Sequence, residues 1–145
     1  MSIAAQGRKT IGDKWHTIEL PTIEDPRGDL SFVEGSKHIP FDIARVYYAY
    51  NMPVDAVRGG HAHIQLEQAI FALSGSFRLV VDDGSQSKVF WLRNPRQGIY
   101  LGAMSWRDMD SFSQGAVYMT LASQPYEEDD YIRDRATFER MAAAK

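Results

Sequence analysis

Residues 69–81 read Ala69-Ile70-Phe71-Ala72-Leu73-Ser74-Gly75-Ser76-Phe77-Arg78-Leu79-Val80-Val81. Two short runs rich in apolar and aromatic residues flank a Ser-Gly-Ser connection, the pattern of two strands joined as a tight hairpin. Working outward, Asp82-Asp83-Gly84-Ser85 turns the chain, and residues 88–92 form the return strand. Asn94-Pro95-Arg96-Gln97-Gly98 is a further turn, after which strands are expected at 99–101, 106–112 and 116–122. On the N-terminal side, residues 15–20 form a first strand stopped by Pro21. Asp25-Pro26-Arg27-Gly28-Asp29 carries turn chemistry, since Pro fixes one dihedral and Gly tolerates positive φ. Strands follow at 30–34 and 41–50, the second with Ile43, Arg45 and Tyr47 on one face and Val46 and Tyr48 on the other. Short strands at intervals of roughly ten residues predict an all-β sandwich or barrel. The tail differs: Ile132, Phe138 and Met141 among charges predict an amphipathic helix over 129–144.

A length of 145 residues fits one domain with a proper core, with residues 1–14 as a loose leader. No internal repeat or interdomain linker interrupts it. The net charge of −3 gives no electrostatic case for a nucleic-acid partner, which needs a basic face. Nothing approaches the length of a membrane span, and residues 1–10 have no signal-peptide core. The absence of cysteine excludes disulfide and thiol chemistry and agrees with a reducing compartment. A soluble cytoplasmic domain is the expectation.

The chemistry concentrates in Arg58-Gly59-Gly60-His61-Ala62-His63, followed by Glu67 and Gln68. Histidines one residue apart share a face of an extended strand, which puts two imidazoles on one wall of a pocket. One reading is a metal centre, because His61-x-His63 followed by Glu67 has the spacing of the first cupin motif. The later-strand ligand of such a site is a histidine after a Gly-rich turn. Here Gly102-Ala103-Met104-Ser105 leads to Trp106 and Arg107, and arginine cannot coordinate a cation. A second reading is metal-free acid–base chemistry, in which an imidazole takes a proton from one carbon and returns it to a neighbour. Tyr47 would donate to a developing enolate oxygen, and Arg45, Arg58, Arg78 and Arg107 would hold phosphate oxygens. The plain reading leaves the histidines on a polar strand face, Arg45 and Arg78 solvated, and Trp15, Trp91 and Trp106 in core packing.

Arg45-Val46-Tyr47-Tyr48, Arg58-Gly59-x-His61-Ala62-His63 and Glu67-Gln68 together resemble the sugar 3,4-ketoisomerases of the cupin superfamily. Gly75-Ser76, Asp82-Asp83-Gly84, Trp106-x-x-Met109-x-x-Phe112 and the ending from Ala122-Ser123 through Tyr126, Glu128 and Asp130-Tyr131-Ile132-Arg133 extend the resemblance in order. It implies a cupin-type jelly-roll β-barrel with a C-terminal α-helix that forms homodimers. It implies action on dTDP-4-dehydro-6-deoxyglucose, a dTDP-linked 4-keto-6-deoxyhexose, moving the keto group from C4 to C3. That step leads to 3-amino-3,6-dideoxy sugars of surface polysaccharides such as O-antigens and S-layer glycans. Neither metal nor organic cofactor is implied. The implied catalytic residues are His61, His63 and Tyr47, with His61 favoured as the base. The substrate contacts expected are Arg27, Arg45, Arg58, Glu67, Gln68, Arg78 and Arg107. Arg27 and Arg107 fall at positions that vary among members with the configuration produced at C4, and galacto and gluco products both stay open. A metal-dependent cupin, a non-catalytic nucleotide-sugar-binding module and a sugar epimerase of the same fold are the competing readings.

Overall fold

A computed structural model describes residues 14–144, so the expected leader falls outside the described residues except for Lys14. Among the described residues the chain forms twelve strands and one α-helix of three turns or less. In order, the strands are β1 (Trp15–Glu19), β2 (Thr22–Ile23), β3 (Leu30–Ser31), β4 (Arg45–Ala49), β5 (Arg58–His63) and β6 (Gln68–Ser74). There follow β7 (Phe77–Asp82), β8 (Ser87–Leu92), β9 (Gln97–Leu101), β10 (Trp106–Asp110), β11 (Val117–Ala122), β12 (Tyr131–Ile132) and α1 (Arg135–Ala143). They build two five-stranded sheets, ordered β1-β9-β6-β11-β4 and β12-β5-β10-β7-β8, in the jelly-roll arrangement of the cupins. No described helix is long and apolar enough to cross a membrane.

Strand β7 shows why the sheets face each other. Phe77, Leu79 and Val81 are completely buried, whereas Arg78, Val80 and Asp82 are half-buried on the opposite face. Burying each large apolar side chain contributes about 2 kcal/mol, so this alternation fixes the register. The three pack with Ile70, Ile99 and Leu101 of the first sheet and Met109 of the second, which makes the space between the sheets the main core. Strand β6 is covered on both faces. Ile70 and Ala72 enter that core, while Ala69 and Phe71 pack with Ile18, Leu20, Ile39 and Phe41 on the other side. A strand buried twice reads as a continuous apolar run.

The hairpin expected at 69–81 does not form. β6 pairs with β9 and β11, and β7 pairs with β8 and β10, so Ser74-Gly75-Ser76 carries the chain from one sheet to the other. Gly75 sits at φ +69°, and a Cβ there would strike the Ser113 hydroxyl and the Ala116 backbone. The Ser76 amide donates to Ser113 Oγ at 2.9 Å, and the Ser113 amide returns a bond to the Ser76 carbonyl at 2.9 Å. These bonds tie the crossing to the turn before β11. The true hairpin is β7–β8, closed by the Asp83 carboxylate accepting from the Ser85 and Gln86 amides.

The C-terminal helix is shorter than its sequence pattern implies. Residues 128–130 form one 3₁₀ turn and Tyr131–Ile132 add a strand to β5. The helix then starts at Asp134, whose carboxylate accepts from the Thr137 amide at 2.9 Å. Ile132 and Phe138 pack with Ala62, Met104 and Trp106, so burial of Ile132 between sheet and helix favours strand pairing over a longer helix. The strand expected at 30–34 is reduced to Leu30–Ser31, and residues 41–44 are loop. Trp106 is buried as expected, but Trp91 lies on the edge strand β8, 47% exposed and beneath the Arg93 guanidinium.

Gly98 gives a test of this packing. A Cβ there would fall on the ring of the fully buried Phe71. We expect Gly98→Ala to cost about 2 kcal/mol by overpacking and to lower Tm by roughly 4–8 °C. An unchanged Tm in thermal unfolding would contradict the packing described.

Candidate active site

A cleft of about 290 Å³ opens between the sheets, lined by side chains of β4, β5, β6, β10, β11 and β12. Strand β5 is bent where it meets β10: the register shifts between Arg107 and Asp108, and Gly59 and Gly60 adopt φ of +90° and +70°. A Cβ on Gly59 would lie 2.7 Å from the Arg107 carbonyl oxygen, so only glycine permits this approach. The bulge aims His61 into the cleft.

His61 and His63 lie on one side of β5, with ring centroids 4.9 Å apart and planes nearly perpendicular. Only His61 lines the cleft. His63 is 0% exposed behind it, covered by Tyr131 at 4.3 Å, with Nδ1 3.5 Å from Asp130 Oδ2. The two imidazoles are therefore in tandem rather than abreast on one wall, because β12 closes over the deeper end of β5. Burial, then the Arg107 charge, lowers the His61 pKa to about 4. The same causes, in the same order, lower His63 to about 2. Both rings are neutral at pH 7. His61 Nδ1 is 3.2 Å from the Gly59 carbonyl oxygen and donates to it, which leaves the lone pair on Nε2.

Arg107 is 2% exposed, and no carboxylate among the described residues pairs with it. Its Nε and Nη2 donate to the Ser105 carbonyl at 3.3 and 3.0 Å, and Nη1 donates to Gln68 Oε1. Gln68 Nε2 in turn donates to the Tyr47 hydroxyl at 3.0 Å. Arg45 covers the Tyr47 ring at 5.2 Å, and its buried Nε and Nη2 have no hydrogen-bond partner among the described residues. Arg58 Nε donates to the Tyr118 hydroxyl at 3.0 Å. Arg133 lies over Tyr131 at 4.2 Å and forms two bonds with Glu128, at 2.8 and 2.9 Å. Among the described residues, four arginines and no carboxylate thus line the cleft.

Of the residues singled out in the sequence, Tyr47, His61, Arg45, Arg58, Gln68 and Arg107 meet here. The others do not. Glu67 accepts a bond from the Tyr100 hydroxyl, on the far side of β6 from Gln68. Arg78 pairs with Asp110 through bonds of 2.8 and 2.6 Å on the outer face of its sheet. Arg27 is spent on Asp25 in the β2–β3 turn and is 90% exposed. Tyr118, Tyr131 and Arg133 join the cleft unexpectedly. Tyr131 and Arg133 stand out only as a Tyr-Ile-Arg alternation that an extended segment, but not a helix, would present on one face. No three His, Asp or Glu side chains come together as metal ligands among the described residues. With a buried guanidinium where a cupin's later ligand would stand, this donor set does not fit a cation.

The family model described as FdtA: WxcM-like, C-terminal matches residues 13–143. This chain belongs to that family. Among its relatives is the TDP-4-oxo-6-deoxy-alpha-D-glucose-3,4-oxoisomerase of Aneurinibacillus thermoaerophilus, 42% identical over 126 residues, covering 87% of this chain and 91% of the relative. The QdtA 3,4-ketoisomerase from Thermoanaerobacterium thermosaccharolyticum, solved as a histidine-to-asparagine mutant with TDP-4-keto-6-deoxyglucose, superposes with a TM-score of 0.89 at 36% identity. That match covers 91% of this chain and 96% of QdtA. The WlaRB TDP-quinovose 3,4-ketoisomerase from Campylobacter jejuni matches at a TM-score of 0.84 and 39% identity, over 87% and 97% of the two chains.

For this WxcM-like protein, the buried imidazoles set a pH dependence. A histidine whose pKa is depressed on folding takes up its proton more readily when unfolded, so stability falls as pH drops below the unfolded value near 6.5. The His61 contribution is lost between about 6.5 and 4, and that of His63 between about 6.5 and 2. Urea unfolding should therefore show stability falling from pH 7 to pH 5, with a shallower fall in His63→Asn. Equal slopes in the two proteins would contradict burial of a neutral His63.

Proposed function

We propose that this chain is a TDP-4-keto-6-deoxyglucose 3,4-ketoisomerase working by acid–base proton transfer without a metal or organic cofactor. The observation that carries the proposal is the neutral His61 imidazole, its Nε2 lone pair free, in a cleft lined by four arginines and no carboxylate. The named activities of the relatives and their TDP-sugar complexes support it.

The C3 hydrogen of the substrate is acidified by the adjacent C4 carbonyl. His61 Nε2 takes that proton, and the electron pair moves into a C3–C4 double bond while the C4 oxygen becomes the enediolate oxygen. Tyr47 donates to that oxygen and the buried Arg107 charge opposes its negative charge. Return of the His61 proton to C4, with passage of the C3 hydroxyl proton to the C4 oxygen, leaves the ketone at C3 and a hydroxyl at C4. No electrons enter or leave. Arg45 and Arg58 hold the diphosphate, which would satisfy the unpartnered donors of Arg45. His63 packs against His61 from behind. Neither Arg27, Glu67 nor Arg78 has a part in this scheme within one chain.

A homodimer and a cytoplasmic location belong to the same proposal. Val46 and Tyr48 of edge strand β4, with Tyr50 just beyond its end, form an exposed apolar stripe, with Tyr48 at 64% exposure, and this supports self-association.

Proton NMR of TDP-4-keto-6-deoxyglucose incubated with the protein should show conversion to the 3-keto isomer. His61→Asn should lower kcat by at least ~10³-fold, as expected for loss of a base, with Tm within a few degrees of native. No conversion by the native protein would sink the proposal, and an active His61→Asn would refute the base assignment.

A further inference from the structure

We propose that Gln68 is a positioning residue: it turns the Tyr47 hydroxyl proton into the cleft by carrying hydrogen-bond direction from Arg107. A guanidinium has only donors, so the Gln68 atom facing Arg107 Nη1 must be the amide oxygen. That places the amide nitrogen against the Tyr47 oxygen at 3.0 Å, and an amide NH₂ has no lone pair with which to accept. Tyr47 is therefore the acceptor in that bond. Its own proton must point elsewhere, and no described residue takes it. Tyr47 lines the cleft, so the proton is left for a ligand.

The amide cannot easily escape this role. Gln68 is 0% exposed, lies in β6 between β9 and β11, and is engaged at both ends of its side chain. Flipping it would set NH₂ against a buried guanidinium and an amide oxygen against the phenol. The chain Arg107→Gln68→Tyr47 thus has one orientation, each bond polarising the next. The sequence pattern places Gln68 among the substrate contacts; the geometry instead has it act through Tyr47. The kinetic consequence rests on the isomerase reading above, whereas the proton's direction does not.

Gln68→Glu is the decisive variant because it preserves volume and supplies Arg107 with a carboxylate, so folding is retained. One carboxylate oxygen would face Arg107 and the other would accept from Tyr47, drawing the phenol proton out of the cleft. We expect kcat to fall roughly 100-fold, the cost of losing one preorganised donor, with KM and TDP affinity changed less than about threefold. In a Tyr47→Phe background the same change should cost clearly less than it does alone, leaving only the part due to the carboxylate offsetting the Arg107 charge, a non-additivity that a merely structural Gln68 would not produce. Near-native kcat in Gln68→Glu, or multiplicative losses in the double variant, would overturn the inference. Neutron diffraction of the native protein with TDP gives a readout independent of turnover. A Tyr47 deuteron directed into the cleft supports the inference, and one lying between Tyr47 and Gln68 overturns it. A native protein inert toward TDP-4-keto-6-deoxyglucose, with the deuteron in the cleft, would overturn the functional reading alone.

Discussion

The buried guanidinium of Arg107 is the constraint on which the site depends. A cation so enclosed, with only a backbone carbonyl and a neutral amide as acceptors among the described residues, has there no carboxylate of the kind that usually offsets desolvation. Its field accounts for the state of its neighbours. It helps to keep His61 and His63 neutral, fixes the Gln68 amide, and makes a bound cation unfavourable. It is also a charge waiting for an anion. An enediolate that exists only during reaction would meet it in a site already organised.

The fold supplies the surroundings that let such a group persist. Arg107 sits in β10, in the middle of its sheet, with β5 on one side and β7 on the other. The glycine bulge of β5 lets the backbone come close to the Arg107 carbonyl and directs His61 inward. From the opposite sheet, β6 and β4 deliver Gln68 and Tyr47 to the same space. The short β12 then covers His63 and adds Tyr131. With Tyr118 from β11, six strands thus converge on one cleft, and the arrangement needs both sheets in register.

Much of the strand content was legible because alternation is a local property. Phe77, Leu79 and Val81 announce a buried face, and the turn residues between strands mark the boundaries. Which strands pair was less legible. Ser74-Gly75-Ser76 has the chemistry of a hairpin, but its partners, Ser113 and Ala116, lie far along the chain. The same limit applies to the site. His61, Tyr47 and Arg107 were recognisable by type and spacing, whereas the ion pair that removes Arg78 comes from Asp110, 32 residues away. Tyr131 was hidden in what reads as a helix lead-in, because only burial of Ile132 against Phe138 makes it a strand.

Transfer of a proton from C3 to C4 by a neutral imidazole is the step on which the proposed function turns. Substrate deuterated at C3, turned over in ordinary water, tests it most directly. Loss of deuterium from C3 with a several-fold primary isotope effect on kcat/KM is expected, the label being carried to C4 or exchanged there with solvent. Deuterium lost from C5 instead, or no isotope effect together with no label lost from C3, would contradict it.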